Sequence, residues 1–288
     1  MPKRQARTLS GFELWSAVDS FLADYRATAS PKTIRYYEDQ ISRALGQYLE
    51  SRNIVFVEHI TPQVMREYLL FESDRMYTIG NQRRRVSPQT VVHRYQSARR
   101  FFGWLVDNGH LADNPMREVR SPKAPPSQQS GFSEDEVRNL LAEAGRAWSW
   151  LGQRDKAIVT VLLATGMRAS ELLSMTLDCV EWDRAGGGRS GTNRRIKVVV
   201  KGGRERRIPF GDKAARAMKE YLRVRPQSRS TAFWLTFRGT PMTYGALNEM
   251  LKHLGDYAGV EHVHPHRFRH TAASEHYRHH NDMQAVKN

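Results

Sequence analysis

Along its first hundred residues the chain alternates apolar and polar positions at the 3.6-residue period of helices resting on a core. Phe12, Trp15, Val18, Phe21, Leu22 and Tyr25 recur at that spacing. Ser30-Pro31 then supplies a cap and a first-turn proline for a second helix through Ile34, Tyr37, Ile41 and Leu45. Thr61-Pro62 repeats the signal ahead of Val64, Tyr68 and Leu69. Ser87-Pro88 repeats it ahead of Val91, Val92, Tyr95, Ala98, Phe102 and Leu105, and Gly109 ends that run. The pattern predicts a compact all-α domain of four helices with its aromatics in the core.

The pattern breaks at Ser121–Gly131 (SPKAPPSQQSG), which has three prolines, three serines and almost no apolar content. Such a stretch reads as an extended connector. Beyond it, Ser133 with Glu136 three residues on has the form of a capping box ahead of Val137, Leu140 and Leu141. Asp155 to Ala164 is an apolar helical run stopped by Gly166, and Ala169 to Met175 starts another. Ile196 to Val200 and Arg206 to Phe210 read as strands joined at Gly202-Gly203. Lys213 to Val224, Tyr244 to Ala258 and Pro265 to Tyr277 return to helix. The predicted fold class is mainly α with a small antiparallel β-sheet in the C-terminal domain.

Charge adds a partner to this picture. Lys and Arg number 45 against 30 Asp and Glu, a net charge of +15, and 35 of the 45 cations are Arg. The planar guanidinium fork suits phosphate oxygens, so the skew favours a polyanion, with nucleic acid ahead of an anionic membrane surface. Residues 1–130 carry 19 − 13 = +6 and residues 131–288 carry 26 − 17 = +9, so a polyanion would be gripped from two sides. The single cysteine, Cys179, excludes an intramolecular disulfide and any multi-cysteine zinc site, and fits a reducing compartment. Met1–Ser16 lacks the apolar run of a secretion signal. The longest apolar stretch, Ala157–Met167, is interrupted and too short to span a bilayer. A soluble, cytoplasmic, nucleoid-associated protein is expected.

Four groups of residues could carry chemistry. From Arg184 to Arg207 lie nine cations and one acid, Glu205. A hairpin so one-sided suggests phosphate-backbone contacts by Arg194, Arg195, Arg204 and Arg206. Arg83-Arg84-Arg85, just before a helix start, and Arg99-Arg100 are shorter runs of the same kind. Seven of the eleven histidines fall between His262 and His280. His262, His264 and His266 have no matching cysteine, and Glu261 or Asp282 would have to complete a ligand set, so no metal is expected. A metal-dependent nuclease would require one. At the start of the last helix, His266, Arg269 and His270 share one face, an arrangement suited to a phosphate. Arg168 stands where one helix breaks at Gly166 and the next begins; on spacing alone it could simply pair with Glu171.

Three strings of this sequence, ATGMRASELL (164–173), VKGGRERRIP (200–209) and HPHRFRHT (264–271), resemble in order and separation the tyrosine recombinase (phage integrase) family. SPQT (87–90), RFFGWL (100–105) and Asn114-Pro115 are similar to its core-binding helical domain, so the resemblance runs from about Phe12 to Asn288. It implies a two-domain DNA clamp: residues 1–120 as the core-binding domain, 121–131 as linker and 132–288 as the catalytic domain. Arg168 matches the first catalytic arginine and Arg269 the second, which would hold the non-bridging oxygens of the scissile phosphate. Lys201 matches the hairpin lysine that protonates the leaving 5′-oxygen, with Val200 where a glycine is common and Arg204 as the other candidate. His266 matches the histidine that assists proton transfer at the nucleophile. Glu171 matches a supporting acid that orients Arg168, and His270 is read as structural.

The resemblance further implies strand breakage and rejoining through a 3′-phosphotyrosyl bond, which conserves the energy of the cleaved phosphodiester and needs no cofactor. Its partner would be double-stranded DNA at specific core sites of a phage or other mobile element, bound by a tetramer. The segment before Phe12 is short for a further arm-binding domain. The family's Leu-Gly-His and nucleophilic tyrosine fall after the position of Asn288, and Tyr277, eight residues past Arg269, stands too early. This chain is therefore expected to bind DNA without covalent cleavage. The alternative is a shortened, non-catalytic repressor or decoy of the same family.

Overall fold

Three Ser/Thr-Pro pairs open helices as their chemistry dictates. In the computed structural model, which describes residues 11–125, 130–146, 149–182, 194–199 and 204–280 (side chains through residue 276), Ser30 accepts from the Thr33 N–H at 3.2 Å. Thr61 accepts from Val64 at 3.3 Å and Ser87 from Thr90 at 3.1 Å. Each cap stabilises its helix by about 1 kcal/mol, and the proline that follows gives up an N–H that would have had no partner. The chain divides into two compact units, Met1–Ser127 and Gln128–Asn288.

The first unit is built on α1 (Leu14–Thr28), α2 (Pro31–Tyr37), α3 (Gln47–Ser51), α4 (Pro62–Asp74) and α5 (Pro88–Asp107). Wider, π-type turns at Glu38–Gly46 join α2 to α3. Phe21, Tyr68, Phe101 and Phe102 are fully buried, with Phe21 edge-on to Phe101 at 5.3 Å. One ion network lies within this core. Arg94 on α5 bonds Glu72 on α4 at 3.3 Å and Asp39 at 3.0 Å, and Arg75 bonds Glu72 at 3.1 Å.

The first unit is not all-α, as the helical periodicity predicted. Strands β1 (Met76–Ile79) and β2 (Gln82–Arg85) pair antiparallel, Met76 opposite Arg85 and Ile79 opposite Gln82. The Arg83-Arg84-Arg85 run therefore lies on an exposed strand that ends just before Ser87 caps α5. The two-residue turn Gly80-Asn81 joins the strands, with Gly80 at φ +56°. A Gly-X pair between short runs is a hairpin signal, here hidden among charged residues that do not alternate with apolar ones.

In the second unit the Ser133 capping box forms as read, with Ser133 N–H donating to Glu136 Oε2 at 2.8 Å and Glu136 N–H to Ser133 Oγ at 3.2 Å. It opens α6 (Glu134–Ala144). Helix α7 (Trp150–Thr165) begins earlier than predicted because Ser149 caps it, and it ends at Gly166 in the left-handed region. Then come α8 (Ala169–Leu173), β3 (Val180–Glu181), β4 (Arg195–Val199) and β5 (Glu205–Pro209), a three-stranded antiparallel sheet in the order β3-β4-β5. The pairing of β3 was not predicted; two residues carry no periodicity. Helices α9 (Asp212–Val224), α10 (Tyr244–Ala258) and α11 (Pro265–His280) complete the unit. Ile158 and Leu162 of α7, Met218 and Tyr221 of α9, Phe233, Trp234 and Phe268 of α11 form its core. None of the described helices is long and apolar enough to cross a membrane.

Candidate active site

Helix α7 stops at Gly166 because its φ of +59° is a conformation glycine adopts without a steric penalty. The chain then turns and Arg168 caps α8. Its N–H donates to Glu171 Oε2 at 2.7 Å, and its Nη1 donates to Glu171 Oε1 at 3.1 Å. The pairing that spacing allowed is thus formed. Glu171 is buried, with 4% of its side chain exposed, whereas Arg168 is 53% exposed.

Two further guanidinium groups share this carboxylate's surroundings. Arg206 reaches across from β5, with Nη1 3.6 Å from Glu171 Oε1. Arg269 on α11 donates from Nη1 to the Gly166 carbonyl at 2.8 Å. Burial, then the charge of Arg168, pushes the Arg269 pKa down; Glu171 opposes this and Arg206 adds to it. Three guanidinium groups around one carboxylate give the cluster a net charge of about +2. Excess positive charge on a partly buried surface is suited to a dianionic or diester phosphate.

Next to the arginines on α11, His270 Nε2 lies 3.1 Å from His266 Nε2, so one ring donates and the other accepts. His266 and His270 are exposed at the helix start. Burial, the neighbouring His266 and then Arg269 hold the His270 pKa below the usual histidine value. Sequence reasoning missed Arg267, the residue between His266 and Phe268. Its Nη2 bonds both oxygens of Glu136 at 2.8 and 2.9 Å, its Nη1 the Glu261 carbonyl at 2.6 Å, and its Nε the Ser130 carbonyl at 3.3 Å. Its guanidinium also covers the Phe132 ring at 4.2 Å. Burial raises the Glu136 pKa, but the Ser133 N–H and Arg267 outweigh it and hold the carboxyl below its usual range. The Phe132 N–H donates to Thr271 Oγ1 at 2.7 Å, so the start of α6 and the start of α11 are fixed to each other. The usable signal was the capping-box glutamate, whose negative charge the Ser133 N–H leaves without a counter-ion.

The remaining candidates divide. Lys201 lies outside the described residues, as do Arg184 and Arg189. The basic hairpin, read as a one-sided phosphate grip, is in fact partly neutralised. Arg194 pairs with Asp212, Lys197 with Glu205 at 2.7 Å and Arg207 with Glu181 at 3.6 Å. Arg206 belongs to the Glu171 cluster because the strand's buried face carries it beside Ile208 and Phe210. Arg195 and Arg204 are exposed. In the first unit Arg83 and Arg84 are exposed, Arg85 pairs with Asp74, and Arg100 donates to the Tyr25 hydroxyl at 2.8 Å. Arg99 is exposed, and its carbonyl accepts from Asn114 at 3.1 Å. Among the described residues no group of three or more His, Cys, Asp or Glu side chains is placed to hold a metal ion.

An arginine at a helix break, a strand arginine facing it and a His-x-x-Arg helix thus come together in the second unit. The chain belongs to the phage integrase family of tyrosine recombinases, whose sequence profile matches residues 131–288. It is similar to the tyrosine recombinase XerC of Haemophilus influenzae (strain PittEE), with 27% identity over 261 residues, 90% of this chain and 81% of that protein. Its fold is similar to that of lambda integrase in a dimer bound to a COC′ core site. The TM-score is 0.74 at 17% identity, covering 99% of this chain and 77% of that one. It is likewise similar to lambda integrase in a tetramer bound to a Holliday junction, with a TM-score of 0.73 at 15% identity over 100% and 81% of the two chains.

Proposed function

We propose that this chain is a site-specific DNA recombinase whose second unit holds a scissile phosphate between Arg168 and Arg269. The observation that carries the reading is the meeting of Arg168, Arg206 and Arg269 around the buried Glu171, with His266 three residues before Arg269 on α11 and against His270. In this reading Arg168 and Arg269 neutralise the non-bridging oxygens as charge builds in the transition state. Glu171 orients Arg168, His266 moves the proton at the nucleophile, and Lys201 protonates the leaving 5′-oxygen. Residues 1–120 act as the core-binding domain, 121–131 as the linker and 132–288 as the catalytic domain, so duplex DNA is held from two sides. The partner is double-stranded DNA, and the likeness to lambda integrase on a core site and on a Holliday junction supports assembly as a tetramer on it.

The 288 residues as they stand carry no tyrosine after Tyr277, eight positions from Arg269. We propose that a polypeptide of these residues binds its site without forming a phosphotyrosyl bond. Selection of duplexes from a random pool would yield the site. Incubation with that duplex should then give a complex that denaturing electrophoresis dissociates fully. A denaturant-resistant protein–DNA band would overturn this part of the reading. Binding that is equally tight with Arg168→Ala and with Arg269→Ala would overturn the phosphate assignment itself.

A further inference from the structure

We infer that Arg206 is a positioning residue, the standing counter-ion of Glu171 that frees Arg168 to turn from that carboxylate to a phosphate. The inference rests on the phosphate assignment above. Glu171 uses its two oxygens differently. Oε2 accepts the backbone N–H of Arg168, a bond that survives whatever the Arg168 side chain does. Oε1 is shared by Arg168 Nη1 at 3.1 Å and Arg206 Nη1 at 3.6 Å. Arg168 has one side-chain bond and the more exposed side chain, 53% against 34% for Arg206, so it is the partner able to leave.

Its departure alone would strand a buried carboxylate. Removing one partner of a buried ion pair is strongly unfavourable because the remaining charge keeps its desolvation penalty. Among the described residues, the charged groups that face Glu171 are Arg168 beside it on α8, Arg206 from β5 and Arg269 from α11. Arg269 has Nη1 committed to the Gly166 carbonyl. Arg206 has Nη1 buried and without any hydrogen-bond acceptor, although Oε1 stands just beyond bonding reach. Its backbone is held in the sheet opposite Val198. A movement of about 0.7 Å at the tip of that side chain turns the loose contact into a charge-assisted hydrogen bond. Glu171 is then never left without a cation while Arg168 exchanges it for phosphate.

A double-mutant cycle tests this with the duplex selected by the parent chain, measuring the dissociation constant and the melting temperature of every variant. Arg206→Ala is expected to weaken binding about tenfold in the parent background and less than about twofold in the Glu171→Gln background, where no charge needs neutralising. Arg206→Lys, which keeps the charge but loses the fork, is expected within about threefold of the parent. If Arg206→Ala does not fold, Arg206→Gln carries the same comparison with volume retained. Equal losses in both backgrounds, or a loss with Lys as large as with Ala, would mean that Arg206 touches DNA itself and would overturn the inference. No loss in either background would overturn it as well. Failure of Arg168→Ala to weaken binding would instead bring down the phosphate assignment, a result separable from the cycle.

Discussion

Arg269 donates from Nη1 to the carbonyl of Gly166, 2.8 Å away and 103 residues earlier in the chain. The same glycine stops α7 at φ +59°, and a Cβ placed on it would lie 3.0 Å from the Cβ of Ala272, one turn of α11 beyond Arg269. One backbone position thus sets the turn that presents Arg168 and receives the second arginine.

Gly166→Ala should therefore damage fold and site together. The left-handed backbone costs a non-glycine residue about 1–2 kcal/mol, and the new methyl presses on α11. The melting temperature should fall, and DNA affinity should fall further than the folded fraction accounts for. Gly166→Ala combined with Ala272→Gly should recover part of the affinity by removing the steric contact. If the single variant binds as tightly as the parent at a temperature where both are folded, the Arg269 contact is not needed to place that arginine.

The histidines at the start of α11 make stability depend on pH. Burial, with His266, Arg267, His262 and His270 adding to it, holds His264 below the usual histidine pKa, and burial with His266 and Arg269 does the same for His270. Both folded-state values lie below that of the unfolded chain, about 6.5. The unfolded state therefore takes up protons first on acidification. The stability these groups contribute is present above about pH 6.5 and is lost as pH falls through their folded-state values. Urea unfolding followed at steps from pH 7.5 to 5 should show the decline, and His264→Asn with His270→Gln should flatten it. An unaltered pH slope in the double variant would remove these two residues as the cause.

Much of this was legible in the sequence because caps and helical periodicity are local. Ser30, Thr61, Ser87 and Ser133 cap the helices they announce, and Gly166 stops α7 where it stands. What escaped was set by tertiary geometry. Whether Arg206 meets phosphate or Glu171 depends on which face of β5 is buried. Arg267 could not be told from its neighbours without knowing that α6 ends its capping box against α11. The charges of the hairpin were counted along the chain, where Glu205 is alone, yet Glu181 and Asp212 come from outside that window. The β1–β2 hairpin was masked by the absence of an apolar face, since all eight of its residues are exposed.

In the first unit the Arg94–Glu72 pair places two opposite charges in the core. Arg94 is 7% and Glu72 2% exposed, so each is the other's compensation in the core. Glu72→Ala should destabilise the unit by about 3–5 kcal/mol, because the Arg94 guanidinium stays buried with only Asp39 to answer it. Replacing both at once, Glu72→Leu with Arg94→Met, should cost less, since the charges left behind, Arg75 and Asp39, are 35% and 51% exposed and can meet water. Denaturant unfolding followed by circular dichroism would separate the two, and equal losses for the single and double variants would mean that packing and not charge is what the pair supplies.

The exposed hairpin offers the most direct route to the DNA contacts of the first unit. Its three arginines differ in what already holds them. Arg85 pairs with Asp74 and donates to the Ser73 carbonyl at 2.6 Å, which ties it to the end of α4. Arg84 donates to the neutral Gln82 at 2.6 Å and keeps its whole charge, and no acid meets Arg83 among the described residues. A two-stranded ribbon of this kind is narrow enough for a major groove. If Arg83 and Arg84 contact phosphates there, their joint replacement by alanine should weaken binding and flatten the plot of log affinity against log salt by about 2, near 0.9 per phosphate released. Arg85→Ala should lower the melting temperature of the unit and change that slope less. Fluorescence anisotropy with the selected duplex across a salt series reads both quantities. A slope unchanged in the Arg83 and Arg84 double variant would place the hairpin away from DNA and leave the basic charge of the first unit to act through its helices.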